Sequence, residues 1–230
     1  MAKKWPGGGF AAVANDPKGV WLAEGKLAIC IELMLSRPKY EGLSPMQGSS
    51  HLLVADGAGA QAITDLARHL PPDWFADAHI IYIPSDSGSA AAPFSAALQA
   101  LLPRQWHQAP TIASALPRIA KVFADAHMGL CLYLAGTEGM IGQVMQLALQ
   151  GGIDHTTIST EHRGSLARRM QCVHCKGITE GVTTQPAQCA HCELWLLVRD
   201  HYSRRIGAFQ GVCIHAEEPD NIPLAIPSFL

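Results

Sequence analysis

Four cysteines set the strongest limit on what this chain can fold into. Cys172-Val-His-Cys175 and Cys189-Ala-His-Cys192 stand thirteen residues apart, with Gly177, Gly181 and Pro186 between them. A Cys-x-x-Cys turn brings two thiolates to one side of a tight loop, and two such turns supply the corners of a tetrahedron. That donor set suits a structural zinc ion or a rubredoxin-type iron. It leaves no open coordination position, so a metal there stabilises or relays electrons and does not hydrolyse. Rubredoxin knuckles usually continue with Gly after the second Cys, whereas this sequence has Lys176 and Glu193. Zinc is therefore expected at Cys172, Cys175, Cys189 and Cys192, with rubredoxin-type iron as the alternative. His174 and His191 are expected to point outward, because each pair is already complete. The tail from 167 to 230 is too short for an ample core, and metal is expected to supply much of its folding free energy.

The remaining cysteines do not suggest disulfides. The total is seven, an odd number, and Cys30 and Cys131 sit inside apolar runs. No apolar h-region follows Lys3 and Lys4, so the expected compartment is the cytoplasm. Hydrophobic residues make up 48% of the chain and charged ones only 16%, against roughly 25% charged in a typical soluble domain. No uninterrupted apolar run approaches the roughly 20 residues that span a bilayer, which argues against a membrane protein. Frequent apolar residues and a net charge of −2 exclude general disorder. The few charges are sorted. Between His162 and Arg205 seven basic residues face three acidic ones, a balance of +4, leaving ten basic and sixteen acidic residues elsewhere, or −6. Such sorting points to an acidic partner or a nucleic acid at the basic segment.

Along the chain, residues 1–19 read as an irregular arm and 19–35 as a short hairpin around Glu24-Gly25, followed by a Pro- and Gly-bearing linker to Ser50. From His51 apolar strands alternate with helical patterns. Strands are expected at His51–Ala55, His79–Ile83, Gly129–Ala135 and Asp154–Thr160. Helices are expected at Ala62–Leu70, Phe94–Leu102, Leu116–Ala126 and Met140–Leu149. This alternation, with strands apolar throughout, predicts an α/β domain with a doubly wound parallel sheet buried on both faces. Three regions result: an arm and hairpin (1–50), an α/β domain (51–166) and a four-cysteine, rubredoxin-like or zinc-ribbon module (167–230).

The first strand ends in Asp56-Gly57-Ala58-Gly59-Ala60, where glycines would let backbone N–H groups approach an anion. A dinucleotide fingerprint also needs a third small residue and an acidic partner, and only Pro84-Ser85-Asp86 is available. Leu53-Val-Ala-Asp-Gly-Ala-Gly59, Leu132-Tyr-Leu-Ala-Gly-Thr-Glu-Gly-Met-Ile141 and a last strand ending at Glu161 resemble the pyridine-nucleotide lobe of ferredoxin reductase-type flavoproteins. The resemblance keeps Gly57, Gly59, Gly136, Met140 and Ile141. It departs at Ala135, where that family has Cys, at Thr137, where it has Pro, at Gln61-Ala62 and at Glu161-His-Arg163-Gly164. Only fifty residues precede the lobe, about half of what a flavin barrel needs. The resemblance thus implies a derived lobe kept mainly as a scaffold, with a vestigial nucleotide site at Gly57, Gly59, Gly136 and Met140.

After the second knuckle, Leu194–Val198 reads as a buried strand and Arg199–Arg205 as a dense polar loop. Arg199, His201, Tyr202, Arg204 and Arg205 are expected to form a docking patch. Lobe, cysteine tail and Val198-Arg-Asp-His-Tyr-Ser-Arg-Arg-Ile-Gly-Ala-Phe209 together resemble one subunit of the bacterial dimethylamine monooxygenases, haem-dependent oxidative N-demethylase systems. That resemblance implies partners: a haem-containing catalytic subunit and a flavin and iron–sulfur reductase subunit. NADPH, FMN, the iron–sulfur centre and haem are expected on those partners, with no complete active site on this chain. The alternatives are a rubredoxin-like iron electron carrier and a zinc-ribbon nucleic-acid binder. The acidic body and the lack of an aromatic stacking series weigh against the latter.

Overall fold

The computed structural model describes residues 37–84, 91–214 and 223–229. The expected arm and hairpin within 1–35 lie outside the described residues. Five parallel strands form the first sheet in the order β3-β2-β1-β4-β5. They are β1 Ser50–Asp56, β2 Ala78–Ile83, β3 Gln105–Gln108, β4 Leu130–Gly136 and β5 Ile158–His162. Four helices join them: α1 Gly59–Ala67, α2 Ala91–Gln99, α3 Ile112–Ala124 and α4 Glu138–Gln150. Side chains alternate across a strand, so each central strand feeds two cores. Leu53, Ala55, Tyr133 and Ala135 pack with Ile63 and Leu66 of α1 and Leu98 of α2. Leu52, Val54, Leu132 and Leu134 pack with Ile119 and Phe123 of α3 and with Met140 and Val144 of α4. Every residue of β4 is buried, as the apolar run predicts. This is the expected doubly wound α/β fold.

Two features of this lobe differ from expectation. β3, Gln-Trp-His-Gln, carries no apolar run. It lies at the edge, where one face suffices, and Trp106 stacks at 6.3 Å on Tyr82 of the neighbouring strand. The expected linker is in fact a strap bonded along β4 and β5. Leu43 N–H donates to Glu161 Oε2 (2.8 Å), Ser44 N–H to Ser159 Oγ (3.1 Å) and Met46 N–H to Tyr133 Oη (2.9 Å). Leu43 and Met46 add apolar cover to the core around Tyr133.

The second sheet runs β7-β6-β11-β10-β9: β6 Arg168–Cys172, β7 Ile178–Val182, β9 Ala187–Gln188, β10 Trp195–Ser203 and β11 Ala208–Cys213, with β8 Thr184–Gln185 pairing separately with β12 Ile226–Pro227. Met170, Cys172, Leu196, Val198 and Phe209 form its core. β10 continues through Arg199–Ser203, which corrects the expected loop. Asp200 and His201 have no counterpart on β11, because the register passes from Arg199↔Gln210 to Tyr202↔Phe209. This bulge, of the kind that twists and bends antiparallel pairs, hides the strand from a search for simple alternation. Among the described residues no helix is long and apolar enough to cross a membrane.

The two sheets meet at α4. A Cβ on Gly142 would lie 2.6 Å from Gly207 O and 3.1 Å from Tyr202 Oη, so backbone meets backbone there. Arg169 clamps the joint. It donates from Nη1 to Gln146 Oε1 (3.2 Å) and Ile206 O (2.5 Å), and from Nε to Glu180 (2.7 Å).

Candidate metal centre

The two knuckles occupy equivalent turns. The first joins β6 to β7 and the second joins β9 to β10, and their backbones repeat the same bonds. Cys172 N–H donates to Gly177 O and Lys176 N–H to Cys172 O (2.9 and 3.0 Å). Cys189 N–H donates to Leu194 O and Glu193 N–H to Cys189 O at the same distances. The residue after each second cysteine is left-handed, with φ of 63° at Lys176 and 61° at Glu193. This conformation turns the following amide back toward sulfur, so that Gly177 N–H donates to Cys175 Sγ at 3.4 Å. Lys176 and Glu193 thus adopt the backbone that Gly would supply, at a steric cost Gly avoids. Their identity is therefore no argument against iron.

All four Sγ atoms lie within 4.8 Å of one another. Across the two knuckles Cys172 and Cys192 are 3.8 Å apart, and Cys175 and Cys189 3.7 Å. A tetrahedron with metal–sulfur bonds of about 2.3 Å has edges of roughly 3.8 Å, so the donor set and its spacing fit a tetrathiolate metal. Proton affinities at the centre diverge. Burial opposes ionisation of Cys189, but the N–H groups of Cys192 and His191 and the neighbouring sulfurs outweigh it and pull the thiol down to about 6. Leu194 N–H favours the Cys192 thiolate, but burial and the other sulfurs outweigh it and push that thiol up to about 12. Four adjacent thiolates repel, and a bound cation relieves that repulsion.

His174 is exposed. His191, also on the surface, is more engaged than expected. Its Nε2 lies 2.8 Å from Ile178 O, and its ring covers Gly177, where a Cβ would strike it. The second knuckle's histidine therefore locks onto the first, a contact that sequence spacing does not reveal.

The residues expected to form the vestigial nucleotide site do come together at the carboxyl ends of β1 and β4. This is the topological switch point, where ligands bind in open α/β sheets. Gly57 has φ of 43° and bonds to Ile83 O at 2.9 Å. A Cβ on Gly59 would collide with the Ala135 carbonyl. Thr137, however, bridges the crevice, donating its N–H to Asp56 Oδ1 (2.8 Å) and its hydroxyl to Asp56 Oδ2 (2.6 Å). Its hydroxyl also accepts from Met140 N–H at 3.4 Å, capping α4. Burial raises the Asp56 pKa, against the opposing pull of the Thr137 bonds. Glu138, also buried, follows in the first turn of α4 and accepts from Tyr40 Oη of the strap (3.3 Å). The Asp56 carboxyl group thus stands where a phosphate would need donors, while Glu138 faces Tyr40.

The docking residues divide. Arg199, His201, Arg204 and Arg205 are exposed, while Tyr202 is buried, its ring 5.0 Å from Phe209. The basic excess is partly internal as well. Arg168 lies between the rings of Phe209 (4.2 Å) and Phe229 (4.1 Å) and pairs with Asp200 at 2.6 Å. Arg169 serves the joint, and Arg163 pairs with Glu161 and Asp65.

Two family descriptions match this chain. The N-terminal domain of the dimethylamine monooxygenase subunit DmmA-like proteins covers residues 32–158, and their C-terminal domain covers 169–212. The chain belongs to the DmmA-like family. Among relatives of this DmmA-like chain is the haem-dependent oxidative N-demethylase delta subunit of Ectopseudomonas mendocina (strain ymp). It is 29% identical over 187 residues, which is 80% of this chain and 91% of the relative. Among solved structures, the ferredoxin reductase in carbazole 1,9a-dioxygenase aligns over 52% of this chain at 17% identity and a TM-score of 0.38. Flavohemoglobin from Malassezia yamatoensis aligns over 53% at 14% identity and 0.39. The chain spans about a third of the length of each of these two structures, 34% and 33%.

Proposed function

We propose that this DmmA-like chain is a non-haem subunit of a dimethylamine monooxygenase. The overall reaction converts dimethylamine, O₂, NADPH and a proton to methylamine, formaldehyde, NADP⁺ and water. In this reading a haem-containing subunit performs the oxidation, and a flavin and iron–sulfur reductase subunit, holding FMN, takes electrons from NADPH. This chain assembles or bridges the two. Residues 51–166 act as scaffold and 167–230 as the metal module.

The observation that carries the reading is a contrast between two sites. At the switch point Thr137 is bonded twice to the buried Asp56 carboxyl group, while four sulfurs converge at tetrahedral spacing in the module. The buried Asp56 carboxyl group disfavours a pyrophosphate at the crevice, which supports placing NADPH on the partner. Cys172, Cys175, Cys189 and Cys192 would hold zinc. Bound zinc supplies a closed tetrathiolate that ties the two knuckles without an open site for substrate. The N–H donors of Gly177 and His191 would then hold sulfur orientation. Those same donors support a second reading, iron in an electron-relay role.

The test is metal analysis and an absorption spectrum of the purified chain, followed by reconstitution. One zinc per colourless chain is expected, and formaldehyde formation from dimethylamine by the haem and reductase subunits should require this chain. Visible iron–thiolate absorption would replace zinc with the relay reading. Undiminished formaldehyde formation without the chain would overturn the subunit reading.

A further inference from the structure

Beside the joint between the sheets lies a groove of about 170 Å³. Ile141, Met145 and Leu149 of α4 line it with Ile158 of β5. Residues four apart share a helix face, so this is one apolar stripe, and Leu149 is 37% exposed along it. The rim has a different chemistry. It carries Lys39 of the strap, Arg204 of the β10–β11 turn and His155, and among the described residues no Asp or Glu lines the groove. His155 Nδ1 is 3.3 Å from Asp154, so Lys39 and Arg204 set the sign of the rim. Arg199, His201 and Arg205 are exposed on the same β10–β11 hairpin, beside Asp200, which pairs with Arg168.

We propose that this groove seats a short acidic segment of a partner subunit, with one apolar anchor side chain flanked by carboxylates. The inference rests on the subunit reading above and names the surface and chemistry by which the partner docks. Charge complementarity selects the occupant. Apolar pockets with charged rims favour an anchor residue at the centre and steering charges at the edge. The surface also revises the expected patch, since Arg204 stays at its rim while Tyr202 belongs to its wall, and Lys39 and Met145 join it.

The test uses the full chain, metal-loaded and labelled with ¹³C at the methionine methyls. It is titrated separately with the purified haem-containing subunit and the purified reductase subunit, at about 50 mM and about 500 mM NaCl, conditions that differ strongly in screening. One partner is expected to shift the Met145 methyl signal while Met128, 99% exposed ahead of β4, stays in place. Combined Lys39→Glu and Arg204→Glu should weaken affinity ~tenfold or more at low salt and less at high salt. Met145→Glu should weaken it at both. Partner binding with Met145 unmoved and both variants at wild-type affinity overturns the groove while leaving the subunit reading intact. Failure of both partners to bind overturns both. A Met145 shift that follows chain concentration alone, matched by dimers in sedimentation, assigns the groove to a second copy and overturns the acidic-segment proposal.

Discussion

Replacing Thr137 by Val tests whether the sheet's crevice is held shut by a charge-assisted bridge. The substitution keeps shape and the backbone N–H to Asp56 Oδ1 but removes the hydroxyl, which donates to Asp56 Oδ2 at 2.6 Å and accepts from Met140 N–H. Loss of a hydrogen bond to a charged group costs about 1.5–3 kcal/mol, and loss of an N-cap about 1 kcal/mol. The 3.4 Å cap bond is long, so the lower part of the range applies to it. Thr137→Val should therefore reduce stability by about 2–4 kcal/mol. The assay is urea unfolding followed by circular dichroism at neutral pH, with metal saturating. Asp56→Asn completes a double-mutant cycle, and a coupling of about 1–2 kcal/mol is expected, because the two groups touch. A loss below about 0.5 kcal/mol, or strict additivity with Asp56→Asn, would refute the bridge.

Four further outcomes are expected. Burial raises the Asp56 carboxyl above its ordinary value, so the folded state holds that proton to a higher pH than the unfolded chain. Its contribution therefore falls as pH rises from the usual carboxylate range to the folded value and is flat beyond. Stability of wild type minus Asp56→Asn across pH should show that decline, and the subtraction cancels the other titrating groups. Lys176→Gly and Glu193→Gly remove left-handed strain and should each raise stability by about 1 kcal/mol with metal content unchanged, measured by thermal unfolding and metal analysis. Gly142→Ala forces a Cβ against Gly207 and should cost about 1–3 kcal/mol, with faster amide exchange in the β10–β11 turn as its local signature. Cys172→Ser should abolish metal binding and unfold the second sheet, while amide protection in β1 and β4 persists.

The central strands were legible because they are buried on both faces. Leu52–Ala55 and Leu130–Ala135 need to be apolar throughout, and the sequence says so. β3 escaped because an edge strand at Gln105–Gln108 satisfies one face with Trp106 alone. The strap escaped because its hold is made by backbone N–H groups on Glu161, Ser159 and Tyr133, more than 80 residues away, and such partners leave no local pattern. Polarity misled at Arg199–Ser203, where a bulge interrupts the alternation of a real strand. At the candidate metal centre, spacing alone indicated the convergence of the four cysteines. It could not indicate that Lys176 and Glu193 accept a glycine's conformation, because residue type sets a cost and not a prohibition. Nor could it reveal Thr137 across Asp56, an 81-residue contact standing where the reductase pattern has Pro.

Among the described residues, the order β7-β6-β11-β10-β9 leaves β7 and β9 at the edges of the second sheet, and each knuckle sits at the hairpin leading to one of them. A cation shared by Cys172, Cys175, Cys189 and Cys192 is thus a clasp across the sheet, drawing both outer hairpins together over β11. Without it, β7 and β9 would be short unclasped edge strands, and edge strands can template pairing with other chains. With the proposed metal bound there, its supply would govern more than folding. It would keep newly made chain from self-adhesion, and chelation should show first as turbidity, before any loss from the parallel sheet.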